Sequence, residues 1–181
     1  MKLAETYRAF SEAFSYPCDK DELLLSLARV AMHIEETDKM TPLTGLTEFI
    51  SRADLVGIQE EYTTTFDLSP ACAPYVGHHL HGDTHKKGEY MIRLKEVFRE
   101  HGYQPPANEL PDHISVVFAF AAHLARTGAD VARREFLTAY VLTGINKMRE
   151  SVKNKPDVHW KDLITAACIL CAADCEEVTS C

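Results

Sequence analysis

Apolar positions recur at helical spacing from the first residues of the chain. Leu3, Tyr7, Phe10 and Phe14 lie three or four apart, which puts them on one face of an amphipathic helix, and Pro17 predicts its end near Tyr16. Asp19 and Glu22 form a capping-box-like start for "ELLLSLARVAMHI", in which Leu23, Leu24, Leu27, Val30, Ala31 and Ile34 make a wide apolar face. The short turn between these helices sets them antiparallel. Thr41 followed by Pro42 offers a capping hydroxyl and a residue pre-set for a first turn, leading into "LTGLTEFISRA". Leu55, Ile58 and Tyr62 mark a further helix from Asp54 towards Thr64, which ends where "TTTFDLSP" turns β-branched and then turn-like.

From Ala71 to Asp83 the pattern is irregular. Tyr90, Met91, Leu94, Val97 and Phe98 then restore the helical period up to Gly102. The segment "GYQPPANELPD" holds three prolines in eleven residues and reads as an interior hinge. After it, "HISVVFAFAAHLARTG" is apolar on nearly every side and stops at Gly128, the pattern of a helix buried inside a bundle. "DVARREFLTAYVLTGINKMRESV" follows, with Val131, Phe136, Tyr140, Val141 and Ile145 as its inner face, and Pro156 and Asp157 open a last helix. No segment alternates with period two, and no repeat of twenty to fifty residues is visible. The pattern therefore predicts an all-α fold: a single helical bundle of roughly seven helices over residues 1–181, with a proline-rich hinge loop at 102–112.

Composition narrows the function classes. With 46% hydrophobic and 25% charged residues the chain can build a core, and a net charge of −8 disfavours nonspecific binding to nucleic acid or anionic lipid. A basic partner suits it better. Glu5 and Glu12 interrupt the start where a secretory signal needs an apolar run, and the longest apolar run, Ala166 to Ala173, is far short of a membrane span. These features predict a cytoplasmic protein without stable membrane insertion.

Two clusters raise a metal question. "HHLHGDTHKKG" puts four histidines and an aspartate between His78 and His85. In extended backbone His79, His81 and Asp83 could face one way, with His113 as a further ligand, and a helical metal-binding hydrolase is the alternative this cluster supports. Zinc hydrolases with a comparable His-x-His-x-Asp-His run place it after a strand, and no strand is predicted here. The other reading is a turn at Gly82, a cap from Asp83 or Thr84, solvated Lys86 and Lys87, and a close approach of backbone or ligand at Gly88. Cys168, Cys171 and Cys175 form one stripe of the last helix, with Cys181 beyond. They are either metal-ligating thiols or core packing among Ala167, Ile169, Leu170 and Ala172.

Three stretches taken together carry a family resemblance. Tyr62, Phe66 and Asp67 in "YTTTFDLSP", Gly82, Asp83 and Gly88 in the histidine-rich turn, and Leu110, Pro111, Asp112 and His113 in "NELPDHISVVFAF" occur in one order over about sixty residues. In this the chain resembles the NarJ branch of the TorD/DmsD/NarJ redox-enzyme maturation proteins. His85 and Lys87 stand where that pattern often has arginines, and Ala119 where it has a glutamate. The resemblance implies a cytoplasmic, nonenzymatic chaperone with no catalytic residue, metal or cofactor of its own. It implies a partner as well, the N-terminal or twin-arginine leader segment of a molybdopterin oxidoreductase catalytic subunit, held until cofactor insertion. The ten residues just named are the expected peptide-binding set, in a groove between the Tyr62–Asp67 segment, the Gly82–Gly88 turn and the Pro105–His113 hinge. Glu60, Glu61, Asp67, Asp83, Glu109 and Asp112 would offer it negative charge. Both a monomer and a dimer exchanging helices across the hinge are compatible with the sequence.

Overall fold

The computed structural model describes residues 2–36, 43–67 and 71–176, with positions 35 and 36 described as backbone only. Nine helices are present among the described residues, and no strand. They are α1 (Lys2–Ala13), α2 (Lys20–Glu36), α3 (Thr44–Arg52), α4 (Leu55–Phe66), α5 (Val76–His81), α6 (His85–Glu100), α7 (Ile114–Arg126), α8 and α9 (Lys161–Glu176). The helix α8 is one continuous rod over residues 130–152, made of an α segment Asp130–Phe136, a π turn Leu137–Val141 and an α segment Leu142–Val152. The all-helical bundle expected from the periodicity is the architecture found.

The core forms around α7, whose apolar residues face neighbours on several sides. Phe118 lies 6.0, 5.2 and 5.7 Å, centroid to centroid, from Tyr7, Phe10 and Phe14 of the α1 segment, so the first helix is held chiefly by ring packing. The helix α1 ends at Ala13, three residues before the point marked by Pro17. At the start of α2 the side chain of Asp19 accepts the Glu22 N–H at 2.9 Å, the half of a capping box its sequence promises. Asp54 caps α4 in the same way, accepting from the Gly57 N–H at 2.9 Å. The Thr41–Pro42 start signal lies outside the described residues. At the first turn of α3 a distant carboxylate serves instead, Asp162 Oδ2 accepting the Leu46 N–H at 3.0 Å.

Three expectations are corrected. The segment 71–83 is not irregular throughout, because Val76–His81 forms α5, wedged between α6 and α8. The last helix begins at Lys161, not at Pro156 and Asp157, since the chain first makes turns that bury Val158 and Trp160. Val131 does not belong to the inner face of α8: it is 69% exposed, and Arg133 is buried in its place. The reason is a buried ion pair. Arg133 Nε and Nη2 donate to Asp174 of α9 at 2.7 and 2.9 Å, Asp130 takes the other branch of the guanidinium, and the Tyr7 hydroxyl donates to Asp174 Oδ2 at 2.7 Å.

The thiols of Cys168 and Cys171 are buried in the core, and Cys168 Sγ donates to the Ile145 carbonyl at 3.5 Å. This is the packing role among the two readings of the stripe; Cys181 lies outside the described residues. Burial pushes the Cys168 thiol up to about 11, which keeps it protonated and a poor metal ligand. Among the described residues no helix is long and apolar enough to cross a membrane.

Candidate functional site

The hinge segment is laced to the start of α5. The Val76 N–H donates to the Asp112 carbonyl at 2.9 Å, the Ile114 N–H to the Pro74 carbonyl at 2.8 Å, and Tyr75 and His113 form an isolated antiparallel bridge. Asp112, with no exposed surface, adds its side chain: Oδ2 accepts the Gly77 N–H at 3.1 Å. In this way a carboxylate 35 positions away caps α5, whose own sequence offers no capping side chain. Burial raises the Asp112 carboxyl, with Lys87 and the Gly77 N–H pulling the other way.

Beside this junction lies a cleft of about 400 Å³. Its floor and walls come from the α4 residues Tyr62 and Phe66 with Asp67 at the helix end, from Tyr16 after α1, from Pro74 and Tyr75, and from Glu109 and His113 of the hinge. Tyr62 is held from behind, its hydroxyl donating to the Phe14 carbonyl at 2.9 Å and its ring edge-on to Trp160 at 5.6 Å. The ring of Tyr16 meets Tyr62 edge to face at 5.5 Å and is 51% exposed. His113 is 5% exposed and caps α7: its Nδ1 accepts the Ser115 N–H at 3.2 Å and lies 2.7 Å from the Ser115 hydroxyl. An Nδ1 that accepts leaves the ring proton on Nε2. Burial lowers the His113 pKa, so the ring is neutral at pH 7, although Glu109 works against the shift.

Four of the ten residues named from the sequence meet in this cleft: Tyr62, Phe66, Asp67 and His113. Leu110 is 47% exposed, Pro111 and Asp112 are buried beneath the junction, and none of the three lines the cleft. The Gly82–Gly88 turn stands at the other end of α5, about 9 Å away along a six-residue helix, and contributes no lining residue. Gly82 does make the expected turn, with φ +59° and its N–H donating to the His78 carbonyl at 2.7 Å. Asp83 is exposed, 3.6 Å from Lys87 Nζ and 3.8 Å from His78 Nδ1, so Lys87 is paired rather than merely solvated. Neither Asp83 nor Thr84 caps α6; the Thr84 hydroxyl donates backwards to the His81 carbonyl at 2.9 Å.

Gly88 makes no close approach: a Cβ there would meet nothing within 4 Å. Exchanging it for alanine is therefore expected to raise stability by about 0.5–1 kcal/mol, because the glycine only widens the unfolded ensemble. A rise in melting temperature of roughly 1–4 °C measures this. The close approaches are at Gly45, Gly77 and Gly144, which sequence reasoning missed. A Cβ on Gly77 would sit 2.8 Å from both Asp112 Oδ2 and the Tyr90 ring.

The helical backbone of α5 also separates the histidines. His79 and His81 are roughly 200° apart around the axis. His79 Nε2 donates to the Ala73 carbonyl at 2.8 Å, while the His81 ring packs 5.5 Å from Tyr90. The convergence that a hydrolase built on His79, His81 and Asp83 requires is thus broken, since it needed extended backbone. Among the described residues no three His, Cys, Asp or Glu side chains are placed to share a metal. Glu61, named above among the acids offered to the bound segment, is committed inside, its Oε1 accepting from the His159 backbone N–H at 2.7 Å and lying 2.9 Å from His159 Nδ1.

Comparison with known proteins agrees with this architecture. A solved structure from Archaeoglobus fulgidus, described as a candidate redox enzyme maturation protein, superposes with a TM-score of 0.56 over 97% of this chain and 93% of that one, at 24% identity; this is a likeness of fold. The nitrate reductase molybdenum cofactor assembly chaperone NarJ of Escherichia coli (strain K12) is 29% identical over 80 residues, 44% of this chain and 34% of that protein. The "Probable nitrate reductase molybdenum cofactor assembly chaperone NarJ" of Bacillus subtilis (strain 168) is 32% identical over 63 residues, 35% of this chain and 34% of that protein. The matched stretch thus spans about a third of the length of these curated relatives. Residues 36–154 match the sequence model described as "Nitrate reductase delta subunit", and with two thirds of its length so matched the chain belongs to the nitrate reductase delta subunit family.

Proposed function

We propose that the protein is an assembly chaperone, not an enzyme, for a molybdenum-containing oxidoreductase. In this reading it works in the cytoplasm, binds the N-terminal or leader segment of the catalytic subunit in the cleft between α4 and the hinge, and holds the subunit for cofactor insertion. One observation carries it. Tyr62, Phe66, Asp67 and His113, drawn from two of the three stretches that resemble the NarJ branch, line a single cleft. A cleft of this size, aromatic on its walls and polar at its edges, suits an apolar segment with a few polar anchors.

The test has two stages. Affinity-tagged protein from its native host is expected to capture a molybdenum oxidoreductase catalytic subunit, identified by mass spectrometry and free of its cofactor. A peptide of that subunit's first twenty residues should then bind the isolated protein, measured by calorimetry. Asp67→Arg, a charge reversal at the cleft mouth, should weaken binding at least about tenfold. Asp83→Ala, on the turn apart from the cleft, should change it less than about twofold. Failure of any N-terminal peptide to bind overturns the reading; equal binding to the Asp67→Arg variant moves the site elsewhere.

A further inference from the structure

We propose that the outer face of α2 is a self-association surface, on which two copies of the chain pair their α2 helices antiparallel with Glu22 of each facing Arg29 of the other. The first ground is an apolar stripe that no described residue covers. Flanked by α1 and α3, α2 buries Leu23, Leu27, Val30 and Ile34, yet Leu25 is 52% and Met32 64% exposed. Other described helices expose one large apolar side chain at most, Val56 on α4, Ile92 on α6 and Val131 on α8, and single ones need no partner. Leu25 and Met32 stand seven apart, two turns along one stripe, with the exposed Ala28 between them. A small side chain in the middle of such a stripe lets a second helix come close.

The second ground is the order of the charges, and it names the occupant. Glu22 and Arg29 lie on one flank of the stripe, one turn before and one turn after Leu25, and both are exposed. Glu22 has no ion-pair partner among the described residues, and Arg29 reaches Glu12 only at 3.6 Å. In a two-fold pair the same patch serves on both sides, so it must complement itself. Parallel pairing would set Glu22 on Glu22 and Arg29 on Arg29. Antiparallel pairing sets Glu22 on Arg29 twice, brings Leu25 and Ala28 of both chains together at the two-fold axis, and lays each Met32 over the first turn of the other α2. No helix is exchanged, so the contact is distinct from a swap across the hinge.

The patch is small and each chain carries a net charge of −8. The pair is therefore weak and reversible, with a dissociation constant of roughly 10–300 µM.

Sedimentation equilibrium of the full chain, under reducing conditions at about 50 mM salt, should show a monomer–dimer equilibrium. Glu22→Arg alone and Arg29→Glu alone each turn two attractions into two repulsions and should weaken it at least about tenfold. Mixed in equal amounts, the two variants meet opposite charges at both contacts and should bind each other within about threefold of the wild-type affinity. Melting curves show that each variant is folded. An independent arm leaves the charges alone: Leu25→Cys, in a chain whose exposed native thiol is removed by Cys18→Ser, should crosslink to its own counterpart under mild oxidation, as mapped by mass spectrometry. A monomer at every concentration up to about 1 mM overturns the proposal and leaves the face to a different protein. A dimer that ignores both charge reversals and forms no crosslink at position 25 lies elsewhere, the hinge swap included, and overturns it as well. Folded variants that fail to bind each other when mixed show that Glu22 and Arg29 do not face one another, which also overturns it.

Discussion

Replacing Asp174 with alanine will lower the stability of the protein by about 3–5 kcal/mol, a fall in melting temperature of roughly 6–20 °C. The size follows from what is left behind. Arg133 is buried to 1% exposure, two of its nitrogens donate to Asp174, and the Tyr7 hydroxyl donates to the same carboxylate from α1. Without Asp174 the guanidinium keeps only Asp130 on its third branch, and a charge deprived of its main counterion stays out of water. Tyr7→Phe removes one bond and no charge, so it should lose only about 1 kcal/mol. Replacing Tyr7, Arg133 and Asp174 together by apolar residues of similar volume should lose far less than Asp174→Ala alone, because no orphaned charge remains. Urea denaturation of the three variants checks this; a loss below about 1 kcal/mol for Asp174→Ala would show that the network does not hold α1, α8 and α9 together.

The same carboxylate gives the stability a direction in pH. Burial by itself would raise the Asp174 carboxyl, but the hydrogen bonds from Arg133 and Tyr7 outweigh it and hold the group below the ordinary aspartate value. The folded pKa is then below the unfolded one of about 3.9. Its contribution is complete above that unfolded value and is lost as the pH falls through the folded one. The stability gap between wild type and Asp174→Ala should therefore be constant near neutrality and narrow below about pH 4. A gap unchanged down to pH 3 would mean that shape, not charge, is what Asp174 supplies.

How much of this was legible in the chain depended on where each side chain's partner lies. The helices α1, α2 and α7 could be read because Tyr7, Phe10, Leu27 and Phe118 repeat at helical spacing and are all buried. Arg133 could not be, since its burial is licensed by Asp174, 41 positions on, and local pattern rules put Val131 inside. The short α5 escaped for the same reason: its cap is Asp112 and its three histidines give no clear apolar face. At the cleft, Tyr62, Phe66, Asp67 and His113 were found through family resemblance. Tyr16 and Tyr75 were not, because both stand outside helices in stretches with no period to expose them. Gly88 was singled out as the close contact because it interrupts a helix, but interruption is a local property and proximity is not. The crowded glycines are Gly45 against Asp162, Gly77 against Asp112 and Tyr90, and Gly144 against Val76, the last revealed only where α5 crosses α8.

That crossing yields the second large effect: Gly144→Ala should destabilise the protein by about 1–3 kcal/mol, although alanine is the better helix former. A Cβ on Gly144 would lie 2.5 Å from Val76 Cγ1 and 3.2 Å from the Val76 carbonyl oxygen. Val76 has no exposed surface, its β-branched side chain has little rotamer freedom, and its backbone N–H is tied to Asp112. The side chain cannot swing away, so α5 itself must shift. Val76→Ala removes the clashing methyl and by itself loses about 1–3 kcal/mol through the cavity. In the double variant the two losses should fall short of their sum by about 1 kcal/mol, since the new methyl of residue 144 occupies the space that residue 76 gives up. Strict additivity in thermal or urea melts would mean that the contact is not what fixes α5. Because Pro74 and Tyr75 precede α5 directly and line the cleft, a displaced α5 also moves that wall. The single Gly144→Ala variant should therefore bind the N-terminal peptide more weakly than wild type at a temperature where both remain folded, and the double variant should recover part of that affinity.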